Sequence, residues 1–215
     1  MNGSDTSSEK TAQYLSLEEG QTLVRLARRA ITSYLKDQSI PETPQTSEKL
    51  KQKTGVFVTL NKASPRELRG CIGFPYSESP LAEATIKAAI YAATEDPRFT
   101  PLSLIEFQRS IILEITVLTP PKELRFGDRT RIPELIEVGR HGLIIEGHGT
   151  SGLLLPQVAT EWKWDSTDFL SNCCLKAGLP PDSWLLNGTR VKVFEGEIFE
   201  EITPAGEIRR KIVGE

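Results

Sequence analysis

The sequence is short of the residues that carry most enzyme chemistry: its 215 positions include three cysteines, two histidines and one methionine. The cysteines stand at 71, 173 and 174. An odd number with two adjacent is not a disulfide framework, and there is no C-x-x-C pair to hold zinc. Long apolar runs are also missing. The longest, Ile111 to Leu118, is broken by Glu114, so no segment is built to span a bilayer. Met1 to Gln13 is polar and lacks the apolar core of a signal peptide. Net charge is −3 and the isoelectric point is near 5.6. With no basic stripe, nucleic acid is not expected as the main partner. These absences predict a cytoplasmic protein with free thiols.

What is present predicts one domain or a compact two-part unit of α+β type, with an antiparallel or mixed sheet and about three main helices. Residues 1–13 read as a disordered tail, 14–212 as the domain and 213–215 as a short C-terminal tail. Ser16-Leu17-Glu18-Glu19 is a capping box. It opens a five-turn helix with Leu23, Leu26, Ala27, Ala30 and Ile31 on one stripe. Gly55 to Leu60 and Glu67 to Gly73 read as a hairpin. Ser79 is the expected cap of a second helix that stops before Pro97. Ser110 to Leu118 is a strand, Ile132 to Val138 a short helix, and 142–146 with 152–155 a second hairpin. Asp165 caps a last helix, and 190–202 with 206–213 close the chain as strands.

The most informative stretch is Leu68-Arg69-Gly70-Cys71-Ile72-Gly73. On a strand, Arg69 and Cys71 share one face about 7 Å apart. Gly70 and Gly73 leave the backbone bare, as where a ligand or another backbone approaches closely. A guanidinium beside Cys71 would favour the nucleophilic thiolate, whereas a plain packing role would leave the sulfur inert. No histidine is close in sequence to act as its base. Glu95-Asp96-Pro97-Arg98-Phe99 follows a helix end. There Arg98 offers a planar fork for a carboxylate or phosphate, oriented by Asp96 or Glu95; the alternative is a loop staple. His141 at a strand start and Gln157 after Pro156 complete the candidate substrate-binding set. Glu114 is either an outward residue of an exposed sheet face or a groove carboxylate. His141 and His148 have opposite strand parity, which argues against a shared metal.

Three segments in order, Leu68 to Gly73, Asp96 to Leu102 and Leu153 to Ala159, resemble the AMMECR domain family. Phe169-Leu170, Cys174 and Lys176 to Leu179 extend the likeness, which runs from about residue 14 to 212. In bacteria the family resembles protein A of the AmmeMemoRadiSam system. The resemblance implies an α+β fold with a larger lobe holding both termini, a smaller β-rich lobe and a groove between them. It also implies association with Memo-like and radical-SAM proteins. It supplies neither a reaction nor a cofactor. Thr100 departs from the family's usual proline, which a turn tolerates.

Two functions fit these residues. In the first, the protein is a cytosolic enzyme with a thiol-centred groove. Cys71 and Arg69 are catalytic there, and Gly70, Gly73, Glu95, Asp96, Arg98, His141 and Gln157 hold a small anionic substrate. In the second, the same groove is a non-enzymatic adaptor that recognises a peptide or protein. A nucleic-acid-related role is the remaining class.

Overall fold

The computed structural model describes residues 14–211; the tails expected at 1–13 and 213–215 lie outside them. The first helix, α1 (Leu17–Asp37), starts as its sequence dictates. The Ser16 hydroxyl accepts from the Glu19 amide, and the Glu19 carboxylate accepts from the Ser16 amide. Two helix-end N–H groups that would lack partners are thereby satisfied. The stripe Leu23, Leu26, Ala27, Ala30 and Ile31 is buried.

Strands β1 (Val56–Lys62) and β2 (Leu68–Phe74) form the expected hairpin. Then come α2 (Leu81–Thr94), α3 (Leu104–Ser110), β3 (Ile111–Leu118) and the short β4 (Lys122–Glu123). The remaining elements are β5 (His141–Gly147), β6 (Thr150–Leu154), α4 (Pro156–Glu161), α5 (Ser166–Lys176), β7 (Arg190–Glu201) and β8 (Ile208–Lys211). Every strand pair is antiparallel, in the order β2-β1-β3-β7-β5-β6, with β4 and β8 also on β7. The fold is α+β, as expected.

Two local expectations need correction, and two short helices are additions. Pro80, not Ser79, is the N-cap of α2; the Ser79 amide donates to the Ser77 hydroxyl instead. The helix expected at 132–138 is a run of 3-10 turns over Arg129–Leu135. Pro133 has no N–H for an α-helical bond, and Asp128 fixes the first turn by accepting from the Thr130 amide. Helix α3 was not singled out from the sequence, although Ser103 accepts from the Glu106 amide in ordinary N-cap fashion. Helix α4 begins at Pro156, where the missing N–H costs nothing.

Side-chain alternation divides the sheet into two faces. Leu60, Leu113, Ile115 and Phe199 pack with α1 and α2 into the larger core. Leu143, Ile145, Val191 and Val193 pack with Phe169 and Cys173 of α5 into a second core. β7 serves both, and Leu118, Ile144 and Phe194 form a third, smaller cluster on the other face. Arg28 of α1 clamps the larger core to the sheet. It holds the buried Glu201 through Nε and Nη2, both at 2.5 Å, and donates to the Ile111 carbonyl at 2.7 Å.

Candidate functional site around Cys71 and Arg98

Strand register assembles the site. Cys71 lies opposite Thr59, Thr59 opposite Glu114, Glu114 opposite Glu200, and Glu200 opposite Arg209. These five residues form one row across β2, β1, β3, β7 and β8, on the face turned away from α1 and α2. Glu114 therefore belongs to a polar row. It is 9% exposed, and its Oε2 accepts from Lys211 at 2.8 Å.

The Cys71 sulfur is half-buried and takes the Thr59 hydroxyl at 3.3 Å. Burial pushes its thiol up from the ordinary cysteine value. The Thr59 hydroxyl and Arg98 pull it down, and Asp96 and Glu114 push it up. β2 is a sheet edge, so the Cys71 amide has no strand to bond outward; the Asp96 carboxylate takes it at 2.8 Å. Asp96 also accepts from Arg98 Nε at 2.9 Å and Nη2 at 2.7 Å. This bond from Arg98, with the amides of Cys71 and Arg98, holds the buried Asp96 carboxyl well below the usual range.

The two arginines differ in what they have left to offer. Arg69 gives Nε and Nη2 to Glu106, at 2.8 and 3.2 Å, and Nη1 to the Thr100 carbonyl at 2.9 Å. Its fork is committed to the start of α3, and the cation that acts on the Cys71 sulfur is Arg98 instead. Arg98 is half-exposed, with Nη2 3.4 Å from the Cys71 carbonyl and, among the described residues, no partner for Nη1. Phe99 lies between them, its ring centre 5.8 Å from the Arg69 guanidinium carbon and 5.5 Å from that of Arg98.

The glycines have packing reasons. A Cβ on Gly70 would lie 2.2 Å from the Ala92 carbonyl oxygen of α2, and one on Gly73 2.2 Å from the Phe57 ring. Gly70 thus answers the approach of another backbone, and Gly73 that of a ring. Glu95 is exposed at the end of α2, where its amide donates to the Tyr91 carbonyl. His141 lies opposite Glu195 in the second half of the sheet, with Nδ1 accepting from the Glu137 amide at 3.1 Å. Burial lowers its pKa. Gln157 is on α4, its Oε1 buried and, among the described residues, without a hydrogen-bond partner. Asp96, Arg98 and Cys71 are in direct contact; His141 and Gln157 are held by other elements.

Thr59, Glu106 and the carboxylate Glu200 were not singled out from the sequence. Thr59 and Glu200 become visible only through register, which depends on pairing between segments far apart in the chain. Glu106 had a local signal, since Ser103 with Glu106 three residues later marks a helix start.

Comparison with known proteins gives a consistent picture. A family model described as AMMECR1 matches residues 24–199. The chain is 52% identical over 202 residues to the Methanopyrus kandleri protein MK0488, covering 94% of this chain and 97% of that protein. It is 55% identical over 198 residues to the Pyrococcus abyssi protein PYRAB00100, covering 90% and 96% respectively. The crystal structure of the uncharacterized protein PH0010 from Pyrococcus horikoshii matches with a TM-score of 0.82 and 52% identity, covering 93% of this chain and all of that one.

Proposed function

The chain belongs to the AMMECR1 family, and on that footing we propose that it is a cytoplasmic binding protein whose site takes an anionic group of a small molecule or peptide. One observation carries the reading. Arg98 is fixed through Nε and Nη2 by the buried Asp96, its head is half in water beside Cys71, and among the described residues Nη1 has no protein partner. A guanidinium whose orientation is already set loses little freedom on binding a carboxylate or phosphate. Cys71 then serves as a neutral neighbour, since burial and two nearby carboxylates favour its protonated form.

A thiol-dependent enzyme is the second reading, favoured by the contact between the Arg98 fork and the Cys71 backbone. Alkylation by iodoacetamide at neutral pH separates the two. The binding reading expects Cys71 to react more slowly than a free-cysteine peptide; a faster rate would favour the enzyme. In parallel, amide NMR during a titration with inorganic phosphate or acetate should show shifts around Cys71 and Arg98 that vanish in Arg98→Gln and persist in Cys71→Ser. Shifts that vanish in Cys71→Ser alone would overturn the binding reading.

A further inference from the structure

Arg98 is not the only half-exposed guanidinium held by a buried carboxylate on this face of the sheet. Arg66 and Arg209 both bond the Glu200 carboxylate, Arg209 through Nε at 3.0 Å and Nη2 at 2.7 Å. The side chain of Glu200 is 1% exposed, while those of Arg66 and Arg209 are 46% and 53% exposed. Arg98 and Asp96 repeat the arrangement, at 54% and 2%.

The charge balance at the Glu200 end is positive. Lys211 lies 2.8 Å from Glu114 and 3.8 Å from Glu200, so Arg66, Arg209 and Lys211 are set against two carboxylates. An excess cation in a chain of net charge −3 is a local field that draws anions. Among the described residues, Arg66 keeps Nε and Nη1, and Arg209 keeps Nη1, without a protein partner. Glu200 thus acts as a positioning residue for both forks, as Asp96 does for Arg98.

The two ends share a face. Glu200 and Arg209 continue the row that begins at Cys71, against which Arg98 rests. From β2 to β8 the row crosses four strand spacings, about 19 Å along the sheet. A small dianion does not cover that span, whereas an extended chain covers it in about six residues at ~3.3 Å each.

We propose that this face is a two-ended recognition surface for an extended acidic peptide, with one carboxylate on Arg98 and a second, about six residues away, on Arg66 and Arg209. This rests on the binding reading above, because Arg98 is its first contact. The hydroxyl of Thr59 and the thiol of Cys71 lie between the ends as neutral hydrogen-bonding groups.

The test uses the full chain and fluorescein-labelled Gly/Ser/Thr peptides with no acidic residue, one, or two spaced six apart, followed by anisotropy at low salt. The two-acid peptide should bind at least tenfold more tightly than the one-acid peptide. Arg66→Gln with Arg209→Gln should abolish that gain, bringing the two-acid peptide down to the level of the one-acid peptide, and Arg98→Gln should weaken the two-acid peptide as well. Because Glu200 is buried, Arg66→Lys with Arg209→Lys is measured alongside; it keeps the charge balance and should retain most of the gain. A two-acid peptide that binds no better than the one-acid peptide, with Arg98 dependence intact, overturns the second end and leaves the binding reading standing. So does a gain indifferent to both double variants. Peptide binding without Arg98 dependence, or none, overturns both. Inorganic pyrophosphate that competes as strongly as the two-acid peptide would overturn the peptide assignment.

Discussion

The two halves of the sheet treat the same strand differently. In the half that holds β1, β2 and β3, the face away from the helices carries the row Cys71, Thr59, Glu114 and Glu200, with arginine and lysine heads over the two carboxylates. In the other half the same face of β7 carries Phe194, which packs on Ile144 and Leu118. The cysteines follow this division. Cys71 is half-buried in the polar row, whereas Cys173 is sealed in the second core, where burial pushes its thiol up to about 12. One half is built to present charge, the other to hide hydrocarbon, and substitutions in each should fail differently.

The largest effect should come from the apolar half. Phe169 is fully buried in the second core, and Phe169→Ala should cost about 3–5 kcal/mol in urea unfolding. A loss below about 1 kcal/mol would mean that this core contributes little. Next is Gly70→Ala, whose added methyl meets the Ala92 carbonyl oxygen. Overpacking against backbone should cost about 1–3 kcal/mol, measured the same way; an unchanged midpoint would show that α2 slides freely on β2.

Asp96→Asn tests the charged half. It weakens the bonds to the Cys71 amide and the Arg98 fork, at about 1.5–3 kcal/mol for charge-assisted bonds at a buried carboxylate. The sign of its pH dependence is fixed. The folded Asp96 carboxyl is held below its unfolded value. Its contribution is therefore full above the unfolded value near ~3.9 and is lost as pH falls through the lower folded one. Acid titration of stability should show a limb below pH ~4 that is shallower in Asp96→Asn; parallel curves would deny the linkage. Arg98→Ala should change stability least, by about 1–2 kcal/mol, since its head is half in water but the buried Asp96 carboxylate is left with backbone amides alone. A larger loss would make Arg98 a staple first and a recognition group second.

Much of the fold was legible because its signals are local. The Ser16 capping box, the period-two strands and the glycine in the left-handed region at 178 (φ +75°) each act within a few residues. The α+β class followed from hairpin-joined strands. What stayed hidden depends on partners distant in the chain. Arg69 and Cys71 share a strand as expected, yet only the docking of α3 against β2 shows that Glu106 claims the arginine. Glu200 reads as an ordinary surface residue until β7 is laid beside β3 and β8. Periodicity reports which side a residue takes, not who stands opposite.

Because β7 runs as twelve residues through both halves, neither can be excised with its sheet whole. Its first half is the rail for β5 and β4, its second for β3 and β8. A genetic split inside it would hand each fragment a torn edge, so complementation by two separately expressed pieces should work only when the break falls elsewhere, such as the 203–206 turn. Melting should propagate along this common rail in a single transition, and slow amide exchange should peak at its centre rather than at either periphery.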